Sequence, residues 1–326
     1  IAGLGRLGKR HAEQLARNTP GARLLSACSP IEADLEWART ALGVTRCHAD
    51  LHAMLSDPDV HAVVLATPTT LHADQTIACL HAGKHVFVEK PLSLDLRTCE
   101  AGEAVAKQCP SQVAMVGFVR RFDPSYAEAK AAIDSGTVGR PFLVRSQTCD
   151  QNDESGIFVP FAKTSGGIFL DNSVHDIDLA RWLMGSPKAT RVFASGTVAI
   201  HHDLAQYGDV DNGLAIIEFE GGQRASLFAS RTMPHGHETT TEGTLQVGFG
   251  AHLSRVEYRD AGGVGHRALP DFFARFETAF RLEMTAFVAA CRGEQALPLS
   301  LRDATEATRI GQALRESLAS GLPVNL

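Results

Sequence analysis

Along residues 1–118, short apolar runs alternate with segments of helical spacing. The runs are 24–28 (LLSAC), 62–66 (AVVLA), 86–88 (VFV) and 113–118 (VAMVGF). Between them, 8–18 carries Ala12, Leu15 and Ala16, 32–42 carries Leu35, Ala38 and Leu42, and 70–82 carries Leu71, Ile77, Ala78 and Leu80. A further helical segment, 94–108, follows LSLD. Asn18, Pro20 and Gly21 stop the first helix, and Gly43 and Gly83 stop the next two, as glycine does after a helix C-terminus. Runs that are apolar throughout are strands covered on both faces, and their alternation with helices predicts βαβ units on a parallel sheet. Ile1-Ala2 enters a glycine turn at once, shorter than the about five residues a buried strand uses. The natural chain is therefore expected to begin some residues earlier.

After residue 120 the pattern changes. A helix is predicted at 124–135, then longer stretches rich in Val, Thr and Phe at 141–149, 189–200, 211–220, 223–232 and 243–258. DNGLAIIEFEGGQRASLFASRT reads as a hairpin turning at Glu220-Gly221-Gly222. Helices are expected at 172–184, 272–291 and 302–319. The chain thus divides into an α/β domain, 1–118, and an α+β domain, 119–326, with a largely antiparallel sheet.

Composition narrows the function without naming it. The 326 residues suffice for two cores. A net charge of −6 with scattered Lys and Arg gives no basic stripe for nucleic acid, and no apolar run approaches membrane-spanning length. Seven cysteines, an odd number without CxxC spacing, argue against a disulfide framework or a zinc site and fit a reducing cytoplasm.

GLGRLG, residues 3–8, matches GxGxxG between a strand end and a helix start. Gly3 permits the tight turn, Gly5 lets backbone approach a pyrophosphate, and Gly8 lets the helix pack closely on the sheet. With Arg6 and Leu7, these residues open a helix whose N–H groups and dipole favour phosphate. The acid that usually takes the NAD ribose should end the second strand; Ser29 stands there instead, and no arginine follows directly to hold a 2′-phosphate. NAD(H) is favoured and NADP(H) stays open. Thr67-Pro68 ends another strand, where cofactor contact is expected, and His72 can cap its own helix.

Two charged features interrupt the apolar pattern. Glu89-Lys90-Pro91 closes the run VFV, and ligands of open α/β sheets bind beyond the carboxyl ends of strands. A lysine there can hydrogen-bond a substrate hydroxyl and stabilise charge developing on its oxygen. Glu89 can hold the ammonium or touch the cofactor, and Pro91 allows a cis bond. The bland alternative is a surface ion pair. In LDNSVHDIDLARWLMGSP, 170–187, Ser173 and Asp176 resemble a capping box, and Val174, Ile177, Ala180 and Leu183 recur at helical spacing. If the helix begins near Asn172, Asp171 and His175 point the same way. His175 titrates near neutrality and can accept a hydroxyl proton, while Asp171 can hold a neighbouring hydroxyl or orient His175. Asp176 and Asp178 suit the helix end. Asp150 and Gln151 lie at a strand end on the expected substrate side. Arg120-Arg121 opens the second domain, with a structural role expected for at least one. His201-His202 points to opposite faces of a strand, and no metal site is expected.

GLGRLG, ATPTTLHADQTIACLHAGKHVFVEKPLS, FVRRFDPSYAEAK and GGIFLDNSVHDIDLARWLMG together resemble the Gfo/Idh/MocA oxidoreductases, most closely their myo-inositol 2-dehydrogenase branch. The likeness is strongest over residues 1–185. It implies a Rossmann domain, a second domain on an open mixed sheet, and a homodimer or homotetramer formed through that sheet. It gives Lys90 the hydroxyl, Asp171 and His175 proton transfer and substrate binding, and His72 the cofactor. The expected activity is hydride transfer from a ring CH–OH of a cyclic polyol or sugar to nicotinamide, with Asp150 and Asn172 among the substrate contacts. Two departures are Ser29 and the stretch DQNDESGIFVP, 150–160, which lacks the proline-rich look of bacterial inositol dehydrogenases. The alternatives are a redox-assisted glycoside-cleaving enzyme and a dinucleotide-sensing regulator without catalysis.

Overall fold

The computed structural model describes residues 1–156, 158–233, 237–242, 245–247, 258–260, 263–265 and 272–326. Contacts group Ile1–Phe122 with Ala279–Arg309 in one unit, and Asp123–Thr278 with Ile310–Leu326 in another. The sequence reading put 119–326 in one piece; by contact, a stretch running from within one closing helix to within the other groups with the first unit.

The first unit is a parallel sheet with helices between its strands. Its elements are α1 (Arg6–Arg17), β1 (Ser26–Cys28), α2 (Glu32–Leu42), β2 (Arg46–His48), α3 (Leu51–Leu55), β3 (Ala62–Leu65), α4 (Thr69–His81), β4 (His85–Glu89), α5 (Leu96–Gln108) and β5 (Ala114–Gly117). β1 pairs with β2, and β3, β4 and β5 pair in order, all in parallel. Ala2 bridges Cys28 on one side and Leu65 on the other, so the first two residues stitch the two sets of strands together. Val86, Phe87 and Val88 are fully buried, as the two-sided cover of a parallel strand requires. On α1 the buried positions are Gly8, His11, Ala12 and Leu15, the spacing of one helix face, and His11 is the polar residue on it. The pair β2 and α3 was not foreseen, because RCH and LHAML are too short to show a period.

The second unit contains α6 (Pro124–Asp134), β6 (Leu143–Gln151), α7 (Phe158–Ser165), α8 (Ile168–Asp171), α9 (Val174–Leu183), β7 (Ala189–Thr197), β8 (Asn212–Phe219), β9 (Arg224–Met233), β10 (His237–Glu242), β11 (Leu245–Val247), β12 (Tyr258–Asp260) and β13 (Gly263–Gly265). Helix α10 (Phe272–Cys291) and helix α11 (Leu301–Ser320) close the chain, with β14 (Val324–Asn325) at its end. The sheet order is β11-β10-β6-β9-β8-β7-β14. Only β6 with β9 is parallel among its described pairs, so the sheet is open, mixed and mostly antiparallel. The predicted hairpin is β8–β9, turning where Gly221 and Gly222 hold φ of 75° and 87°. The strand expected at 243–258 lies partly outside the described residues; the described pieces are β11 and the first residue of β12. On β8, Ala215 and Ile217 are buried while Leu214 and Ile216 stand 58% and 49% exposed, so the sheet's outer face is apolar as well. Among the described residues no helix is long and apolar enough to cross a membrane.

Candidate active site

In the first unit, the glycine turn is built by close backbone approach. Gly3 holds φ of 86°, and a Cβ there would stand 2.4 Å from the Ala66 carbonyl oxygen. A Cβ on Gly8 would stand 2.1 Å from the Gly3 carbonyl oxygen, so α1 rests directly on the turn. A Cβ on Gly5 would meet nothing within 4 Å. Gly5 is also the N-cap of α1, and no side chain caps it. The N–H groups of Arg6, Leu7 and Gly8 thus lie in a first turn that lacks intrahelical partners. Packed glycines behind and open space at Gly5 fit a dinucleotide pyrophosphate.

Ser29 ends β1 with its hydroxyl engaged locally. It donates to Asp34 Oδ2 at 3.1 Å and accepts from the Ile31 N–H at 3.2 Å. Asp34 Oδ1 lies 3.0 Å from Lys9 Nζ. The carboxylate missing from the strand end is therefore present nearby, delivered by the first turn of α2.

Two other strand ends are tied together. One His72 ring nitrogen lies 2.8 Å from the Pro91 carbonyl oxygen and the other 2.8 Å from the Thr67 carbonyl oxygen. His72 is buried and braces the Thr67-Pro68 turn against the Lys90-Pro91 turn. Pro68 is the N-cap of α4, and the Thr67 hydroxyl bonds Gln75 Oε1 at 2.6 Å. The Lys90–Pro91 peptide is cis, as the motif suggested. Glu89 is the last residue of β4. Its carboxylate faces inward, with Oε1 at 2.6 Å from His11 Nε2 and Oε2 accepting from the Lys90 backbone N–H at 3.2 Å. A Cβ on Gly117 would reach Glu89 Oε2 at 3.1 Å, so the neighbouring strand leaves room for that carboxylate only as glycine.

In the second unit, charged side chains do the building. Asp171 ends α8 and His175 lies in the first turn of α9, with Asn172 and Ser173 between the helices. Asp171 Oδ2 accepts from Arg231 Nη2 at 2.9 Å. Arg231 Nη1 reaches Asp209 Oδ2 at 3.1 Å, and its guanidinium carbon lies 4.4 Å from the Phe158 ring centre. Asp209 Oδ1 accepts from the Ile168 N–H at 2.9 Å, which ties the same network to the start of α8. Asn172 Nδ2 donates to Asp150 Oδ2 at 2.9 Å, joining two residues singled out separately in the sequence. The His175 ring is nearly buried, its centre 6.4 Å from that of Phe272.

Asp176 lies in the first turn of α9, as the spacing suggested, and it also reaches the sheet. Its two carboxylate oxygens accept from the Ser146 and Thr148 hydroxyls of β6 at 2.5 Å and 2.7 Å. Ser173 occupies the N-cap position without a side-chain capping bond. The acid thus clamps α9 to the sheet one residue after His175. Arg121 is structural: its guanidinium bonds Asp303 Oδ1 at 2.8 Å in the first turn of α11.

Arg231 and Asp209 were missed in the sequence, yet Arg231 had a signal. Along β9 the buried positions Ala225, Leu227 and Ala229 alternate, and Arg231 continues their parity. A charged residue on the inward set of a strand must have a buried partner.

Two family models match the chain. Residues 1–118 match an oxidoreductase family with an NAD-binding Rossmann fold, and residues 126–247 match the GFO/IDH/MocA C-terminal domain. A scyllo-inositol 2-dehydrogenase (NAD(+)) of Bacillus subtilis (strain 168) is 38% identical, the alignment covering 100% of this chain and 95% of that protein. A myo-inositol 2-dehydrogenase of Thermotoga maritima is 31% identical over 100% of this chain and 97% of its own length. Among solved structures, scyllo-inositol dehydrogenase from Lactobacillus casei, with bound cofactor NAD(H) and scyllo-inositol, is similar with a TM-score of 0.94 and 35% identity, covering 100% and 97% of the two chains.

Proposed function

The chain belongs to the Gfo/Idh/MocA oxidoreductase family, and from that premise we propose that it is an NAD-dependent dehydrogenase of a cyclic polyol, an inositol first. The relatives named above act on inositols, and the likeness spans the whole chain. The observation that carries the reading is the buried Arg231, which holds one oxygen of Asp171 while Asn172 and Asp150 pair alongside. Several fixed acceptors and donors of this kind are what a polyhydroxylated substrate needs for one hydroxyl to be selected.

The roles follow from the chemistry of each group. His175 accepts the proton of the reacting hydroxyl, Lys90 stabilises charge on its oxygen, and Asp171 receives a neighbouring hydroxyl. When bound, the nicotinamide supplies the hydride acceptor. Gly3, Gly5, Arg6, Leu7 and Gly8 hold the pyrophosphate, and Asp34 with Ser29 serves the ribose, which favours NAD(H) over NADP(H). The apolar outer face with Leu214 and Ile216 supports a homo-oligomer formed through the C-terminal sheet.

The test is a panel of inositols, aldoses and anhydrosugars with NAD and NADP, followed at the absorbance of reduced nicotinamide. Reduction of NAD by at least one inositol is expected. No reduction by any member of the panel overturns the reading.

A further inference from the structure

The first unit holds a buried acid that the proposed chemistry does not use. Glu283, on α10, is 0% exposed, and neither carboxyl oxygen has a hydrogen-bond partner among the described residues. Phe280, one turn earlier on the same helix, packs edge-on against His11 with ring centres 5.7 Å apart. The His11 ring also packs on Phe87, with ring centres 5.5 Å apart. His11 Nε2 is bonded to Glu89, while His11 Nδ1 is buried and lacks a partner among the described residues.

The two orphaned groups are complementary. If Nε2 carries the proton shared with Glu89, Nδ1 is an acceptor that needs a donor. Burial, and then the charge of Glu89, push the Glu283 carboxyl well above the usual carboxylate range, which favours its neutral form, whose O–H needs an acceptor. A leucine would fill the same space without burying an unpaired polar group.

We propose that Glu283 is a positioning residue for Lys90: it donates a hydrogen bond to His11 Nδ1 through one buried water, completing a chain from Glu283 through His11 and Glu89 to the backbone N–H of Lys90. The chain runs from α10 through α1 to the end of β4, and it fixes the turn that carries the lysine. A water at this point would have the ring nitrogen and both carboxyl oxygens as partners, enough to hold it. The inference rests on the dehydrogenase reading only for its kinetic consequence.

Three measurements test it. Glu283→Leu is expected to lower kcat for the polyol roughly tenfold, the scale of a misplaced catalytic group, with KM for NAD little changed. Glu283→Gln, whose amide N–H can replace the donor, restores most of that loss. In 15N-histidine-labelled protein, the His11 ring-nitrogen resonances move in the Leu variant and stay near wild type in the Gln variant. The infrared difference spectrum of wild type minus Glu283→Gln shows a protonated-carboxyl C=O band. An unchanged kcat in the Leu variant, equal losses in the Leu and Gln variants, unmoved His11 resonances, or a missing carboxyl band would each overturn the proposal. If no polyol is oxidised at all, the dehydrogenase reading fails while the resonance and infrared measurements still decide this one. If the Leu variant does not fold, the Gln variant and the infrared band decide it.

Discussion

The two units build their candidate sites from different materials. In the first, the glycine turn and the braced strand ends rely on backbone: glycines at 3, 5 and 8, and two carbonyls gripped by His72. In the second, the site consists of side chains from α8, α9, β6, β9 and the loop before β8, held by Arg231 and Asp176. A backbone site is tuned by what it leaves out, since any Cβ at Gly3 or Gly8 collides. A side-chain site is tuned by what it pairs, since each buried charge needs its partner.

That contrast can be broken by mutation. His175→Ala should cause the largest change, lowering kcat on a polyol substrate by about 10²–10⁴, the usual worth of a general base. NAD affinity, measured by fluorescence titration, should stay near wild type; equal losses in both would mean His175 shapes the fold rather than the chemistry. Arg231→Met comes next. It removes the cation between Asp171 and Asp209 while keeping much of the stem, and should cost about 3–5 kcal/mol in denaturant unfolding, as a broken buried ion pair does. An unaltered midpoint would show that the network is not a buried unit.

Gly5→Val tests the opposite side of the comparison. A Cβ there meets nothing within 4 Å beyond its chain neighbours, so the melting temperature should hold. NAD affinity should fall by about tenfold or more, since bulk would occupy the space of closest backbone approach. A lower melting temperature with full affinity would reverse the assignment. The smallest effect is expected at acid pH. Burial alone would raise the Asp211 carboxyl, but the backbone N–H groups of Ala199, Ile200 and His201 and the Asn212 amide take it below its usual value. A lowered folded value stabilises above the unfolded carboxylate value of about 3.9 and is lost as pH falls through the folded one. Thermal midpoints should therefore drop below that point in wild type and less steeply in Asp211→Asn.

The same contrast explains what could be seen in the sequence. The first unit was legible because its signals are local: GLGRLG lies within six residues, and the period of α1, α2, α4 and α5 shows within each helix. Asp171, Asn172 and His175 were legible for the same reason. Arg231 is 60 residues from Asp171, so their meeting depends on strand order that no single stretch displays. Asp176 was legible as an acid of the first helical turn, but not as the partner of two hydroxyls that β6 presents from 28 and 30 residues back. The bond of Ser29 to Asp34, five residues on, was not legible, since nothing in the strand-end pattern points to an acid inside the next helix.

One imidazole links the loops that follow β3 and β4. Because His72 clasps a carbonyl from each, a change of loop length or residue in one is transmitted to the other. An engineer seeking a new cofactor preference or substrate would have to exchange both loops together with His72, and a graft of either alone should inherit the old register.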